Sequence, residues 1–111
     1  MLPKKERLSR LEFNRFFSVG KRLHTPLFQI VFSPHDALHA SVVVSKKIAK
    51  RAVVRNKIRR RIYDIVRNYH SQKGMCGVFI FVVKPGAVTA SYGALKLEVI
   101  TALQNIVRKF N

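Results

Sequence analysis

Basic side chains are concentrated in the middle of this sequence, between positions 46 and 61. Of these sixteen residues, nine are lysine or arginine and none is acidic. The nine are Lys46, Lys47, Lys50, Arg51, Arg55, Lys57, Arg59, Arg60 and Arg61. On a helix, like charges four residues apart destabilise by about 0.2 to 0.5 kcal/mol per pair. So dense a cluster therefore predicts a binding surface for a polyanion rather than an ordinary solvated helix face.

The chemistry expected of this cluster is recognition of phosphate groups. Arginine can bind phosphate through two parallel N–H bonds, which lysine cannot do. An asparagine such as Asn56 can donate to one group while it accepts from another. At about 100° per residue, one sector of a helix collects five side chains: Asn56, Arg59, Arg60, Tyr63 and Arg67. We expect this sector to lie along phosphates.

Residues for protein-based catalysis are sparse and scattered. The chain has five acidic residues, Glu6, Glu12, Asp36, Asp64 and Glu98, against a net charge of +17. A two-metal nuclease needs converging carboxylates, so we expect neither a protein metal site nor a protein catalytic residue. The histidines, His24, His35, His39 and His70, are interpreted as solvated turn residues because no nucleophile accompanies them. The single cysteine, Cys76, is interpreted as packing or loop material.

Length and composition favour one domain over residues 1–111, since half of 111 residues is too short to bury a useful core. The longest apolar run, residues 78–83, has the length of a strand and not of a membrane span, so we predict a cytoplasmic protein. A cationic membrane-surface protein is a weaker alternative, which lipid rather than salt dependence of binding would reveal. A DNA-binding helix is disfavoured because no helix-turn-helix, zinc or zipper pattern accompanies the cluster.

The elements that position the cluster follow from capping signals and periodicity. Ser9 and Glu12 form an S-x-x-E capping box at the start of a helix over Arg10–Val19, and Gly20 is predicted to end it in a left-handed turn. Three aromatic residues of this helix share one face: Phe13, Phe16 and Phe17.

Two segments rich in β-branched and aromatic residues, 27–32 and 38–44, flank turn residues and predict a hairpin. The basic cluster then enters a second helix over residues 52–69 with one buried stripe. The apolar run Gly77–Val83 predicts a strand covered on both faces. A last helix, capped by Ser91, is predicted to bury Leu95, Val99, Ala102, Leu103, Ile106 and Phe110. The order α-β-β-α-β-α predicts an α+β fold.

Residues 45–60, with the sequence SKKIAKRAVVRNKIRR, resemble the signature of the bacterial ribonuclease P protein family. That family shows S-K-K, a small or glycine residue, and A-V-x-R-N followed by a basic, an aliphatic and two basic residues. The family's first helix typically carries F-x-x-x-F-x-x-G, which is present here as Phe13, Phe17 and Gly20. The resemblance covers residues 7–110, and its central motif is highly specific.

The resemblance implies a sandwich like the second domain of ribosomal protein S5, in which a left-handed β-α-β crossover departs from the general right-handed rule. It also implies two RNA surfaces. The basic helix and its preceding loop would bind ribonuclease P RNA through Lys46, Lys47, Arg51, Arg55, Asn56, Lys57, Arg59 and Arg60, to which we add Lys50 and Arg61 of the same run. A cleft between the sheet and the first helix would bind the single-stranded 5′ leader of precursor tRNA through Phe13 and Phe17, with Phe28 or Phe32.

The implied function is that of the protein subunit of ribonuclease P, an endoribonuclease that removes the leader in a Mg²⁺-dependent reaction to give the mature tRNA 5′ end. The catalytic centre and the Mg²⁺ ions are expected on the RNA subunit and substrate, and no obligate protein partner or membrane is expected. Many family members have arginine where this chain has Tyr63, so Tyr63 becomes a candidate for stacking or hydrogen bonding to RNA, whereas Arg61 adds an untypical charge. A ribosomal or RNA-chaperone protein is the alternative, but it gives no reason for the signature run.

Overall fold

The fold is a mixed four-stranded sheet with helices on both faces. The computed structural model of the chain describes residues 8–110, with side chains described up to residue 108. The elements are α1 (Arg10–Val19), β1 (Lys21–His24), β2 (Phe28–Ser33), β3 (Leu38–Val43), α2 (Ala52–Lys73), β4 (Gly77–Val83), α3 (Gly86–Thr89) and α4 (Tyr92–Phe110). The predicted α+β class is confirmed, and two short elements, β1 and α3, are added to the predicted order.

The strands lie in the order β1-β2-β4-β3. β2 is antiparallel to both β1 and β4, whereas β3 is parallel to β4. The predicted hairpin between β2 and β3 is therefore wrong, because β4 lies between them. The reason is that β4 is apolar on both faces and is most stable in the interior of the sheet. The parallel pair confirms a β-α-β crossover through α2, whose left-handed sense stays a prediction.

Part of one face of the sheet is covered by α1, which packs against β2 and β4. The capping box forms as predicted, with the Ser9 hydroxyl accepting from the Glu12 N–H at 3.2 Å and the Glu12 carboxylate accepting from the Ser9 N–H at 3.0 Å. A small core on this face consists of Val31, Val78 and Ile80, with Phe13, Phe16 and Phe17 of α1 packed against it.

Gly20 connects α1 to β1 with extended backbone, φ −68° and ψ 156°. The predicted left-handed turn is therefore wrong. A Cβ at this position would lie 2.5 Å from Cγ1 of Val31, which is far inside van der Waals contact. Glycine is needed here because the chain passes so close to β2, and α1 can then settle on the sheet.

The opposite face of the sheet carries the main core, which α2 and α4 cover. The predicted stripe of α2 is buried through Ile58, Ile62, Ile65 and Val66, and α4 buries Leu95, Val99, Ala102, Leu103 and Ile106 as predicted. The side chain of Phe110 lies outside the described residues. Since α2 is held by one face along its length, its remaining surface is free to present the basic cluster.

Candidate RNA interface

The basic cluster begins in the loop between β3 and α2. The carbonyl of Ser45 accepts from the N–H groups of Ile48 and Ala49, both at 3.1 Å, so the loop forms a compact turn. Ala49 is buried and Ile48 is half-buried, which anchors the turn to the core. The four basic side chains of the loop are left exposed: Lys46, Lys47, Lys50 and Arg51.

Arg55 connects this loop to the first turn of α2. Its Nη1 atom donates to the carbonyl oxygens of Ala49 at 2.9 Å and Lys50 at 2.7 Å. The side chain is half-buried, so it holds the loop in place as well as adding a positive charge. The first turn of α2 contains no acidic residue, and the N-terminal end of a helix is itself partly positive. The loop and the helix start therefore form one positive surface.

The outward face of α2 continues this surface. Asn56 is exposed, and its Oδ1 accepts from Nη1 of the half-buried Arg59 at 2.7 Å. Arg60 and Arg67 are exposed. Four of the five side chains predicted to share this sector are thus at least partly accessible. We call Lys46, Lys47, Lys50, Arg51, Arg55, Asn56, Arg59 and Arg60 the loop surface.

Tyr63, the fifth member of the predicted sector, is buried, with 7% of its surface exposed. Its hydroxyl accepts a hydrogen bond from the N–H of Val42 at 3.1 Å. Because β3 is an edge strand, this bond satisfies a backbone donor that the sheet leaves unpaired. The hypothesis that Tyr63 contacts RNA is therefore wrong: its long side chain reaches from the border of the sector onto the sheet.

Arg61 lies on the side of α2 that faces α4. The guanidinium carbon of Arg61 lies 5.5 Å from the ring centre of Tyr92, the first residue of α4. Lys57 precedes Arg61 by one helical turn and is exposed. We call Lys57, Arg61 and Tyr92 the α4 flank. The structure thus distributes a cluster that is continuous in sequence over two neighbouring surfaces of α2.

A stacked group of side chains lies where α1 meets the sheet. The half-buried rings of Phe13 and Phe17 are stacked, with centroids 5.6 Å apart and an interplanar angle of 17°. The guanidinium carbon of Arg22 lies 4.7 Å from the Phe17 ring centre, and its Nη2 donates to the Phe17 carbonyl at 2.8 Å. Sequence reasoning missed Arg22, because the contact depends on β1, which no pattern predicted.

Phe28 and Phe32 are not part of this group. They are 0% and 3% exposed and belong to the main core, on the other face of the sheet from α1. Side chains alternate between faces along a strand, so the β2 residues on the α1 side are Gln29, Val31 and Ser33. The prediction that Phe28 or Phe32 lines a cleft together with the aromatics of α1 is therefore wrong.

A cross-strand row on the α1 side of the sheet leads to the loop surface. His24 lies opposite Gln29, Gln29 opposite Val82, and Val82 opposite Val43. All four side chains are half-buried or exposed, and Gln29 Nε2 lies 3.4 Å from His24 Nε2. Because β3 ends at Val43, the row runs from the basic loop across the sheet to β1. This row and the stacked group form the walls of a candidate cleft.

Several acidic side chains have structural roles. Glu12 closes the capping box, Glu98 accepts from the N–H of Leu27 at 2.9 Å, and Asp36 lies 3.1 Å from Nδ1 of His35. Within residues 8–110, no group of three His, Cys, Asp or Glu side chains is arranged to hold a metal ion. The same part of the chain contains no helix that is both long and apolar enough to cross a bilayer.

Comparison with known proteins identifies the family. The family model described as Ribonuclease P matches residues 2–107 of this chain. The chain belongs to the ribonuclease P protein family. Among curated ribonuclease P protein components, that of Chromobacterium violaceum is 39% identical over 100 residues, spanning 88% of this chain and 78% of the relative. The protein component of Citrifermentans bemidjiense is 33% identical over 111 residues, spanning 97% of this chain and 94% of the relative.

Solved structures of ribonuclease P proteins share the fold. The protein from Thermotoga maritima superposes with a TM-score of 0.80 at 22% identity, over 91% of this chain and 97% of that one. A mutant of the Staphylococcus aureus protein with defective mRNA degradation activity superposes with a TM-score of 0.81 at 21% identity, over 95% and 90%. The resemblance found in the sequence is therefore confirmed, together with the coarse function of a ribonuclease P protein component in tRNA 5′ processing.

Proposed function

We propose that the loop surface binds ribonuclease P RNA and that the cleft beside α1 binds the single-stranded 5′ leader of precursor tRNA. The main support for RNA binding by the loop surface is the pair of hydrogen bonds that Arg55 makes to the loop, which we call the Arg55 clamp. Its two hydrogen bonds, to Ala49 and Lys50, hold a loop with four exposed cations in one arrangement. A surface ordered before binding loses less conformational entropy when RNA arrives.

The loop surface suits the backbone of a folded RNA. Each phosphate that a lysine or arginine neutralises releases condensed counterions, which gives affinity without base readout. Folded RNA helices are recognised mainly by shape and by backbone groups, because their deep major groove is too narrow for side chains. The exposed Asn56 and Arg60 supply donors and an acceptor that could follow such a backbone.

The cleft beside α1 suits an unpaired strand of any sequence. Stacking of a base on an aromatic ring contributes about 1 to 3 kcal/mol and tolerates every base. Phe13 and Phe17 provide rings, and Arg22 adds a guanidinium plane beside them. The row from Val43 to His24 gives the RNA leader a path across the sheet that starts at the loop surface. A leader held here would therefore lie next to the RNA subunit.

In this proposal the phosphodiester bond is hydrolysed on the RNA subunit, and Mg²⁺ is held by phosphates of that RNA and of the substrate, where it supplies Lewis-acid chemistry. The protein contributes positive charge between two polyanions that repel each other, with a net charge of +17 for the whole chain. The proposal also places the complex in the cytoplasm and requires no second protein.

Reconstitution tests the proposal. The chain is added to ribonuclease P RNA at low Mg²⁺ concentration, and release of the leader from precursor tRNA is measured. We expect the chain to stimulate cleavage, because added positive charge offsets repulsion that Mg²⁺ would otherwise have to screen. Leader release no faster than with the RNA alone would contradict the proposal.

Two substitutions separate the two surfaces. Arg60→Ala should weaken assembly with ribonuclease P RNA, whereas Phe17→Ala should spare assembly and weaken binding of precursor tRNA. Mature tRNA without a leader is the matched control substrate, and its binding should not respond to Phe17→Ala. Equal effects of both substitutions on assembly would show that the division into two surfaces is wrong.

A further inference from the structure

We propose that the α4 flank is a further RNA contact, at which an unpaired nucleobase stacks on Tyr92 beside Arg61. This inference rests on the proposed RNA-binding function, but it concerns a surface on the other side of α2 from the loop surface. Its ligand is a nucleotide that leaves the stack of a folded RNA, either in ribonuclease P RNA or in the precursor.

The ring of Tyr92 is available for stacking. It is 40% exposed, which is high for an aromatic side chain at the junction of two helices. Arg61 is half-buried, and its guanidinium carbon lies 5.5 Å from the ring centre. An arginine held against a ring keeps the ring in place and adds a second planar, cationic surface. The pair therefore forms a platform on which a base can be placed.

The charge around the platform favours a nucleotide over a neutral aromatic ligand. Lys57 lies one turn before Arg61, and Lys96 lies one turn after Tyr92 on α4; both are exposed. The acid of α2, Asp64, lies about one turn after Arg61 and is half-buried. Three cations against one acid leave the flank positive, so phosphates on either side of a stacked base would find counter-charges.

Small residues follow the platform on its solvent side. Gly93 has nothing within 4 Å of the position that a Cβ would take, and Ala94 is exposed. The two residues that follow Tyr92 therefore add no bulky side chain that would limit the approach of a base. Because Lys57 and Arg61 belong to the same helix turns as Arg60 of the loop surface, an RNA bound to one surface is brought close to the other.

A tryptophan reporter tests the inference directly. The chain contains no tryptophan, so the fluorescence of a Tyr92→Trp variant reports position 92 alone. Leu97→Trp, at a position 69% exposed on the same helix, is the matched control. Each variant is titrated with ribonuclease P RNA and, separately, with precursor tRNA. We expect the RNA whose base stacks at this site to quench the fluorescence of Tyr92→Trp until binding saturates. The fluorescence of Leu97→Trp should change little.

Affinity provides the second measurement. Tyr92→Leu should weaken binding of that RNA about tenfold, whereas Tyr92→Phe should keep it, because the ring and not the hydroxyl makes the stack. Thermal unfolding of both variants checks that each remains folded. The inference is wrong if bound RNA does not quench Tyr92→Trp and if Tyr92→Leu and Tyr92→Phe bind RNA with equal affinity. In that case the proposed function still stands. If the unsubstituted chain fails to bind either RNA, both are wrong.

Discussion

Arg55 has two roles in the loop surface, because the guanidinium that carries its charge also fixes the loop. We expect Arg55→Ala to lower both the free energy of unfolding and the affinity for ribonuclease P RNA. Loss of two partly exposed hydrogen bonds should cost about 1 kcal/mol of stability. Arg60→Ala, at an exposed position of the same helix, is the control and should lower RNA affinity alone. Urea unfolding and filter binding measure the two quantities, and equal stability of both variants would contradict the clamp.

Tyr63 stabilises the fold at a position where the family resemblance suggested a contact with RNA. Tyr63→Phe would leave the Val42 N–H without the partner it now has at 3.1 Å, which should lower the free energy of unfolding by about 1 to 3 kcal/mol. RNA affinity should be unchanged, because the hydroxyl is turned into the protein. Tyr69→Phe on the same helix is the control and should cost less. A loss of RNA affinity in Tyr63→Phe at full stability would refute this assignment.

The start of α1 is stabilised by the ionised carboxylate of Glu12 in the capping box. The pKa of Glu12 is lowered, chiefly because the backbone N–H and then the hydroxyl of Ser9 hydrogen-bond with it, with the nearby imidazoles of His39 and His35 adding to the effect. A carboxyl group whose pKa is lower in the folded state contributes stability above its ordinary pKa. That contribution is lost as the pH falls through the lowered value.

This gives a pH-dependent expectation for the helix. Glu12→Gln keeps the shape of the capping box but cannot ionise. At neutral pH the variant should unfold more easily than the unsubstituted chain, and the difference should disappear as the pH falls below the lowered pKa of Glu12. Unfolding curves recorded by circular dichroism between acidic and neutral pH measure the difference. A difference that stays constant across this range would show that the charge of Glu12 does not stabilise α1.

Local elements could be predicted from the sequence, but their partners could not. The bounds of α1 and the stripe of α2 follow from capping and periodicity, which depend on residues a few positions apart. The neighbours of β2 depend on β4, which lies more than forty residues later, so the expected hairpin was wrong. β1 has only four residues and is exposed along most of its length, which leaves no apolar pattern to detect.

The candidate site shows the same limit. The loop surface could be predicted because its residues are contiguous in the signature run, residues 45–60. The cleft could not, because it is assembled from α1, β1 and the face of β2 that meets α1. Which face of β2 meets α1 is decided by register, and one residue separates the buried Phe28 from Gln29 on the cleft side. Arg22 and Tyr92 join the site only through tertiary contacts.

The whole molecule separates its charge from its cores. The main core lies on one face of the sheet and the small core on the other, and α2 carries cations on its outer surface and on both sides. A fold with this arrangement can approach RNA from several directions without burying an unpaired charge. The net charge of +17 then acts as one long-range attraction that precedes any specific contact.

This electrostatic attraction predicts a steep salt dependence. Six basic residues of the cluster are exposed: Lys46, Lys47, Lys50, Arg51, Lys57 and Arg60. If each neutralises one phosphate, affinity for ribonuclease P RNA should fall about a thousandfold between about 50 and 200 mM salt. Arg60→Gln should reduce the slope of log affinity against log salt by about one, because one phosphate contact is lost. Phe17→Leu should leave that slope unchanged, since Phe17 is uncharged and lies in the cleft proposed for the leader, away from the loop surface. Fluorescence anisotropy at a series of salt concentrations measures all three slopes, and an affinity that does not respond to salt would show that the basic cluster does not bind phosphate.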